Sequence, residues 1–157
     1  MAITLSSFFT NAYTTFKTVI NSSVVDPKVG SVNSRRRWIY RDLPDTTSHT
    51  FSGYPIIHIN HADFNDDDII VLSADYRENT ITFDVDVYAE FDDETGRNDI
   101  VSSGVLEAIF DSANVTTMES IGLFTPKIVN TTTVTTDIES KEVVLRSFRI
   151  SYIIEVS

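Results

Sequence analysis

Between Ile81 and Phe91 the chain alternates without a break. Ile81, Phe83, Val85, Val87, Ala89 and Phe91 are separated by Thr82, Asp84, Asp86, Tyr88 and Glu90. A period of two sends the two sets to opposite faces of a strand, so the pattern predicts one buried face and one uncovered face. Near the N-terminus the period changes. Leu5, Phe8, Phe9, Ala12, Phe16, Val19 and Ile20 recur at helical spacing and predict a helix over 4–21, with Thr4 or Ser6 as its N-cap. A second helix is predicted over 98–112. Asn98 would cap it, Asp99 would sit at its positive end, and Val101, Val105, Ala108 and Ile109 would face the sheet.

Other segments read as strands. In 35–43, Arg36, Trp38 and Tyr40 would share one face and Arg37, Ile39 and Arg41 the other. The run 54–59 is short, and Pro55 places it at an edge or a strand start. Segments 69–77 and 80–91 would form a hairpin through Glu78 and Asn79. Residues 123–138 are rich in β-branched side chains. After a turn at 139–141, residues 142–156 form a last strand with Val144, Phe148, Ile150, Tyr152, Ile154 and Val156 on its apolar face. Residues 21–34 and 44–53 read as loops, 60–68 as an acidic turn and 115–122 as a connection. The order predicts a single α+β domain over 1–157. Its sheet, mostly antiparallel or mixed, runs from about 35 to 156 with two helices on one face.

Charge narrows the function classes. There are 23 acids against 12 Lys and Arg, a net charge of -11. Phosphate neutralisation needs basic patches, so this balance argues against a DNA-binding surface. It does suit a surface that keeps DNA from sticking. The absence of Cys excludes thiolate chemistry and Cys-based zinc sites. No basic start followed by an apolar run marks the N-terminus, and no stretch approaches the ~18 apolar residues of a membrane span. No membrane partner and no cofactor are expected.

Candidate chemistry is sparse. His58 and His61, with Asp63, Asn65, Asp66, Asp67 and Asp68, offer imidazole and oxygen ligands. The spacing of Asp63, Asn65 and Asp67 resembles the start of a calcium loop, but the sharp-turn Gly and the closing Glu are missing. Pro44-Asp45 with Glu139 and Lys141 imitates a metal-dependent nuclease pattern, yet both pieces fall in predicted turns. Asp84 and Asp86 have a D-x-D form that suits a solvent-facing strand as well as a ligand pair. None of the three His lies near a nucleophile elbow, and the five Gly are scattered. The basic cluster at 35–38 could touch phosphate, with Trp38 stacking on a base, or could pair with acids of a neighbouring strand or subunit.

An ordered pattern links the leading helix, "YPIIHI", "TITFDVDVYAEF", "DDETGRNDIVSSGVLEAIFDS", a β-branched strand and a terminal "RISYIIEV". In this pattern, over about 54–157 and the first helix, the chain resembles the tail terminator proteins of long-tailed bacteriophages. The resemblance implies a structural virion protein of the tail or neck, made in the host cytoplasm and without catalytic residues. It implies a hexameric ring that stops tail-tube growth, meets the tail tube protein and the head connector, and lets DNA pass through its lumen. Related readings are a head-completion adaptor or the tube protein itself; a small metal-dependent hydrolase or nuclease is the non-structural rival. In a ring, Asp84, Asp86 and Glu90 would face an acidic lumen or an intersubunit seam, repelling DNA over a Debye length of ~8 Å. Arg149 could instead neutralise them across the sheet. Arg36 and Arg37 of one subunit would meet Asp92, Asp93 and Glu94 of the next.

Overall fold

The computed structural model describes residues 5–60, 63–65, 78–91 and 97–155. Three helices, α1 (Leu5–Ser23), α2 (Arg97–Phe110) and α3 (Ser112–Ser120), accompany a mixed six-stranded sheet. The strands are β1 (Ile39–Tyr40), β2 (Ile56–Ile59), β3 (Asp63–Asn65), β4 (Glu78–Glu90), β5 (Leu123–Ile138) and β6 (Lys141–Glu155). The order is β1-β2-β4-β6-β5, and β3 pairs with β4 beyond β2. Among the described strands only β1 and β2 run parallel; the other pairs are antiparallel. The α+β class with helices on one face is thus realised, with three helices where two are expected.

The centre is β4. Its pairing with β6 runs from Glu78 opposite Glu155 to Glu90 opposite Val143. Ile81, Phe83, Val85 and Val87 are fully buried on the helix side. Burying each contributes about 1.5–3 kcal/mol. Phe148, Ile150, Tyr152 and Ile154 join them from β6, and Phe8, Ala12, Phe16, Val19 and Ile20 cover them from α1. Phe16 lies flat on Phe83, with centroids 4.4 Å apart and planes 9° apart, and Tyr152 meets both rings edge-on. Val101, Val105, Ala108 and Ile109 of α2 and Met118 of α3 close the layer.

Asn98 lies within α2 and does not cap it. Its side chain points into the sheet, where Nδ2 donates to the carbonyls of Val87 on β4 (3.1 Å) and Val144 on β6 (3.0 Å). Ser102 donates to Asn98 Oδ1, so this buried amide is satisfied at both ends. α3 replaces the expected connection over 115–122. Asp111 caps it by accepting from the amides of Ala113 and Asn114.

Three strand expectations change. Segment 35–43 supplies only the two residues of β1, and Trp38, Ile39 and Tyr40 are all buried rather than alternating. The chain there threads between the helix layer and a second small core of Tyr40, Tyr54, Ile56, Tyr88 and Val143, which loop residue Phe51 helps to cover. Glu78 and Asn79 belong to β4 and make no hairpin turn; β4 pairs with β3 instead, Phe64 opposite Ile81. Residues 69–77 and Val156 lie outside the described residues. β5 forms as expected despite Pro126. Pro126 sits on the edge strand, at a register irregularity between Phe124 and Lys127 where Thr125 has φ 52°. The turn to β6 uses Glu139 and Ser140, both at positive φ (51° and 65°), the backbone of a two-residue hairpin.

Phe16→Ala removes the ring that α1 lays on Phe83. It is expected to destabilise the fold by about 3–5 kcal/mol, read as a lower denaturant midpoint at unchanged slope.

Candidate functional site

The polar set of β4 comes together on the sheet face away from the helices. Parity decides this: with Phe83 and Val85 in the core, Asp84, Asp86, Tyr88 and Glu90 must point the other way. At the Tyr88 end, the second small core and the loop before β2 cover that face. Towards Asp84 it opens into a groove of about 230 Å³ lined by Asn60, Asp84, Asp86, Asn130, Thr132 and Arg149 among others.

Each of the three acids has its own cation. Arg149 stands directly opposite Asp84 on β6. It donates from Nε to Oδ1 (2.9 Å) and from Nη2 to Oδ2 (3.1 Å), a two-pronged pairing across the strands. Asp86 stands opposite His58 of β2, whose Nδ1 is 3.3 Å from Oδ2. Glu90 accepts from Lys141 at 2.9 Å, with both side chains largely exposed. The neutralisation offered above through Arg149 is what this geometry shows for Asp84. Asp84 and Glu90 are therefore ion-paired within their own chain and Asp86 is hydrogen-bonded to His58, and whether they face a lumen is a matter of assembly.

His58 is the most constrained of the cations. Its Nε2 lies 3.0 Å from the Arg41 carbonyl, so both ring nitrogens face acceptors. Only the imidazolium can donate to both at once. The hydrogen bond to the Asp86 carboxylate raises the His58 pKa above 6.5, against the opposing pull of burial. The same bonds tie the start of loop 41–55 to the sheet. His58 thus acts as a structural latch. Of its supposed co-ligands, His61 and 66–68 lie outside the described residues, Asp63 and Asn65 contribute backbone to β3, and no group of three or more ligating acids or His converges among the described residues.

The residues of the nuclease imitation have other partners. Asp45 accepts from the Thr47 amide and hydroxyl in its own turn, while Lys141 is engaged by Glu90.

The basic cluster holds the largest correction. Arg36, expected at a subunit interface, is consumed inside the chain. Its Nε and Nη2 donate to Asp26 (2.7 and 2.9 Å), Nη1 to the Gly53 carbonyl (2.7 Å) and Nη2 also to the Pro55 carbonyl (2.8 Å). Asp26 is 0% exposed and also accepts from Ser34 Oγ and the Lys28 amide. Burial works to raise its pKa, but the hydrogen bonds from Arg36, Ser34 and the Lys28 amide outweigh it and hold the carboxyl below 3.8. This hub fastens loop 24–36 to the strand entry at Gly53–Pro55. Trp38 is 1% exposed beneath the Arg36 guanidinium at 5.5 Å, so it cannot stack on a base. Arg37 remains exposed, with its guanidinium 5.2 Å from the Tyr40 ring. Asp92, Asp93 and Glu94 lie outside the described residues. The signal for the hub was the Asp26-Pro27 step, where Asp26 turns the chain by accepting from the amide two residues on.

The fold has a solved counterpart. It is similar to a chain from the virion of a native gene transfer agent particle, with a TM-score of 0.56 over 92% of this chain and 91% of that one. Sequence identity is 10%, so the likeness is one of fold. No protein-family model and no curated protein matches the sequence.

Two outcomes follow. His58 has a folded pKa raised above its unfolded value, so its contribution is complete below about pH 6.5 and fades as pH rises through the folded value. Melting temperature measured from pH 5.5 to 9 should fall across that window in the wild type, and Asp86→Asn should flatten the slope. Asp26→Ala strands the Arg36 guanidinium among carbonyls and should cost about 3–5 kcal/mol in chemical denaturation.

Proposed function

We propose that this chain is a structural protein of a phage-like virion, and more narrowly a tail terminator. Six copies close into a ring that caps the tail tube and joins it to the head connector, with DNA passing through the lumen. The observation that carries this reading is the shared fold: a virion chain matches it over nine-tenths of both proteins. The chemistry agrees. Asp84 and Glu90 form ion pairs with Arg149 and Lys141, and Asp86 is hydrogen-bonded to His58, an arrangement that stiffens a sheet surface and engages each carboxylate with a neighbour. In the ring, the β4–β6 polar face borders the lumen or the seam beside it. Because its acids are paired, that face repels DNA less than three unpaired carboxylates would. Repulsion then comes mainly from the net charge of -11, repeated six times by symmetry.

Purified protein, alone and mixed with tail tube protein, is expected to give closed six-membered rings by native mass spectrometry and negative-stain microscopy. Rings on tube ends should stop further tube growth. Long tubes made by this chain alone would assign it as a tube protein, and failure to cap or join any tail component would sink the virion reading.

A further inference from the structure

Two exposed surfaces match each other in shape of chemistry and oppose each other in charge. The first is loop 24–37. Its backbone is closed by the Asp26–Ser31 bridge, by the Asn33 amide on the Asn21 carbonyl and by the buried Asp26–Arg36 pair. That frame displays Val25, Val29 and Val32 at 45, 55 and 39% exposure. Arg35 and Arg37 are exposed beside them. Burying an ion pair seldom adds much net stability, but it can fix one conformation. Here the fixed conformation holds three valines in water. Four of the chain's 12 basic residues fall in positions 35–41, so this is its densest positive segment.

The second surface is the outer stripe of α2. Ile100, Ser103, Glu107 and Phe110 are exposed at successive three- and four-residue spacings, which places them on one flank. Ile100 and Phe110 are each 51% exposed, and Glu107 supplies exposed acid between them; the neighbouring Asp99 is taken by Arg146 of β6, whose Nη1 donates to its Oδ1 at 2.6 Å.

We infer that loop 24–37 of one copy docks on the outer stripe of α2 of a second copy, its valines against Ile100 and Phe110 and its Arg35 and Arg37 against Glu107. Charge complementarity selects the occupant. A chain with net charge -11 repels its own copies except where its concentrated basic segment meets acid. The two surfaces are different patches of one molecule, so the contact is head-to-tail, the type that closes into rings. The apolar centre with a charged rim is ordinary interface anatomy. This contact rests on the ring reading above and names the surfaces that would build it.

The test is the oligomeric state of the full chain by light scattering and native mass spectrometry across a concentration series. Arg35→Glu with Arg37→Glu should raise the concentration for half-assembly about ten-fold or more, as should Glu107→Arg. Combining all three in one chain restores opposite charges and should recover most of the loss. Val29→Ser should weaken assembly without changing its salt dependence, whereas added salt should weaken the wild type. All these positions are exposed, so melting temperatures should stay near wild type. Rings that survive the double Arg reversal would overturn this contact and leave the ring reading intact. Rings intact but unable to cap tubes would give the loop to the tube protein and also overturn it. A wild type that stays monomeric throughout would overturn both.

Discussion

The register between β4 and β6 is the constraint from which the remaining structure follows. Phe83 stands opposite Ile150, Val85 opposite Phe148 and Ile81 opposite Tyr152, all on the helix side. A slip of one residue would send this whole set to the other face and bring the acids into the core, so the apolar packing specifies the pairing strongly. The same register then dictates the polar face. Once Phe83 meets Ile150, Asp84 has to meet Arg149 and Asp86 has to meet Ser147. The ion pair is thus a consequence of the core, reached without any pairing force of its own. Phe16 of α1 and Asn98 of α2 read this register from above, one by stacking on Phe83 and the other by bridging carbonyls of both strands.

A second frame stands beside the sheet and is built differently. Loop 24–37 has few apolar anchors beyond Val24 and is held largely by one carboxylate and one guanidinium, each with further partners. The two frames meet at β2. Arg36 grips the carbonyls of Gly53 and Pro55 just before that strand, and His58 within it grips Asp86 and the Arg41 carbonyl. A segment that is polar in sequence is therefore as firmly placed as a core strand. This explains how an exposed group of valines can be presented in a defined shape, and how this fold carries an ordered surface loop without a disulfide.

Local pattern made α1, α2, β4, β5 and β6 legible, because each is long and keeps one period for several turns or pleats. The short pieces were not. Trp38, Ile39 and Tyr40 look like an alternating strand, yet all three are buried because the chain passes between two cores there. Glu78 and Asn79 look like a turn, but lateral pairing with β6 extends β4 through them. α3 has too little periodicity to announce itself; its Asp111 cap and Met118 contact define it. The triple Arg run was visible as charge, but nothing local said that its middle member, and not its neighbours, would be drawn inside.

The sequence by itself determined which residues share a face, and with them the fold class and the polar identity of Asp84, Asp86 and Glu90. That follows from strand and helix periods, which are properties of a few successive residues. Only the tertiary structure decided what those residues face. Arg149 is 65 positions from Asp84, His58 is 28 from Asp86 and Lys141 is 51 from Glu90, distances over which no local period carries information. The partner of Arg36 was settled in the same way, by the crossing of two loops and the strand entry at Pro55, where a buried carboxylate required a cation that could reach it.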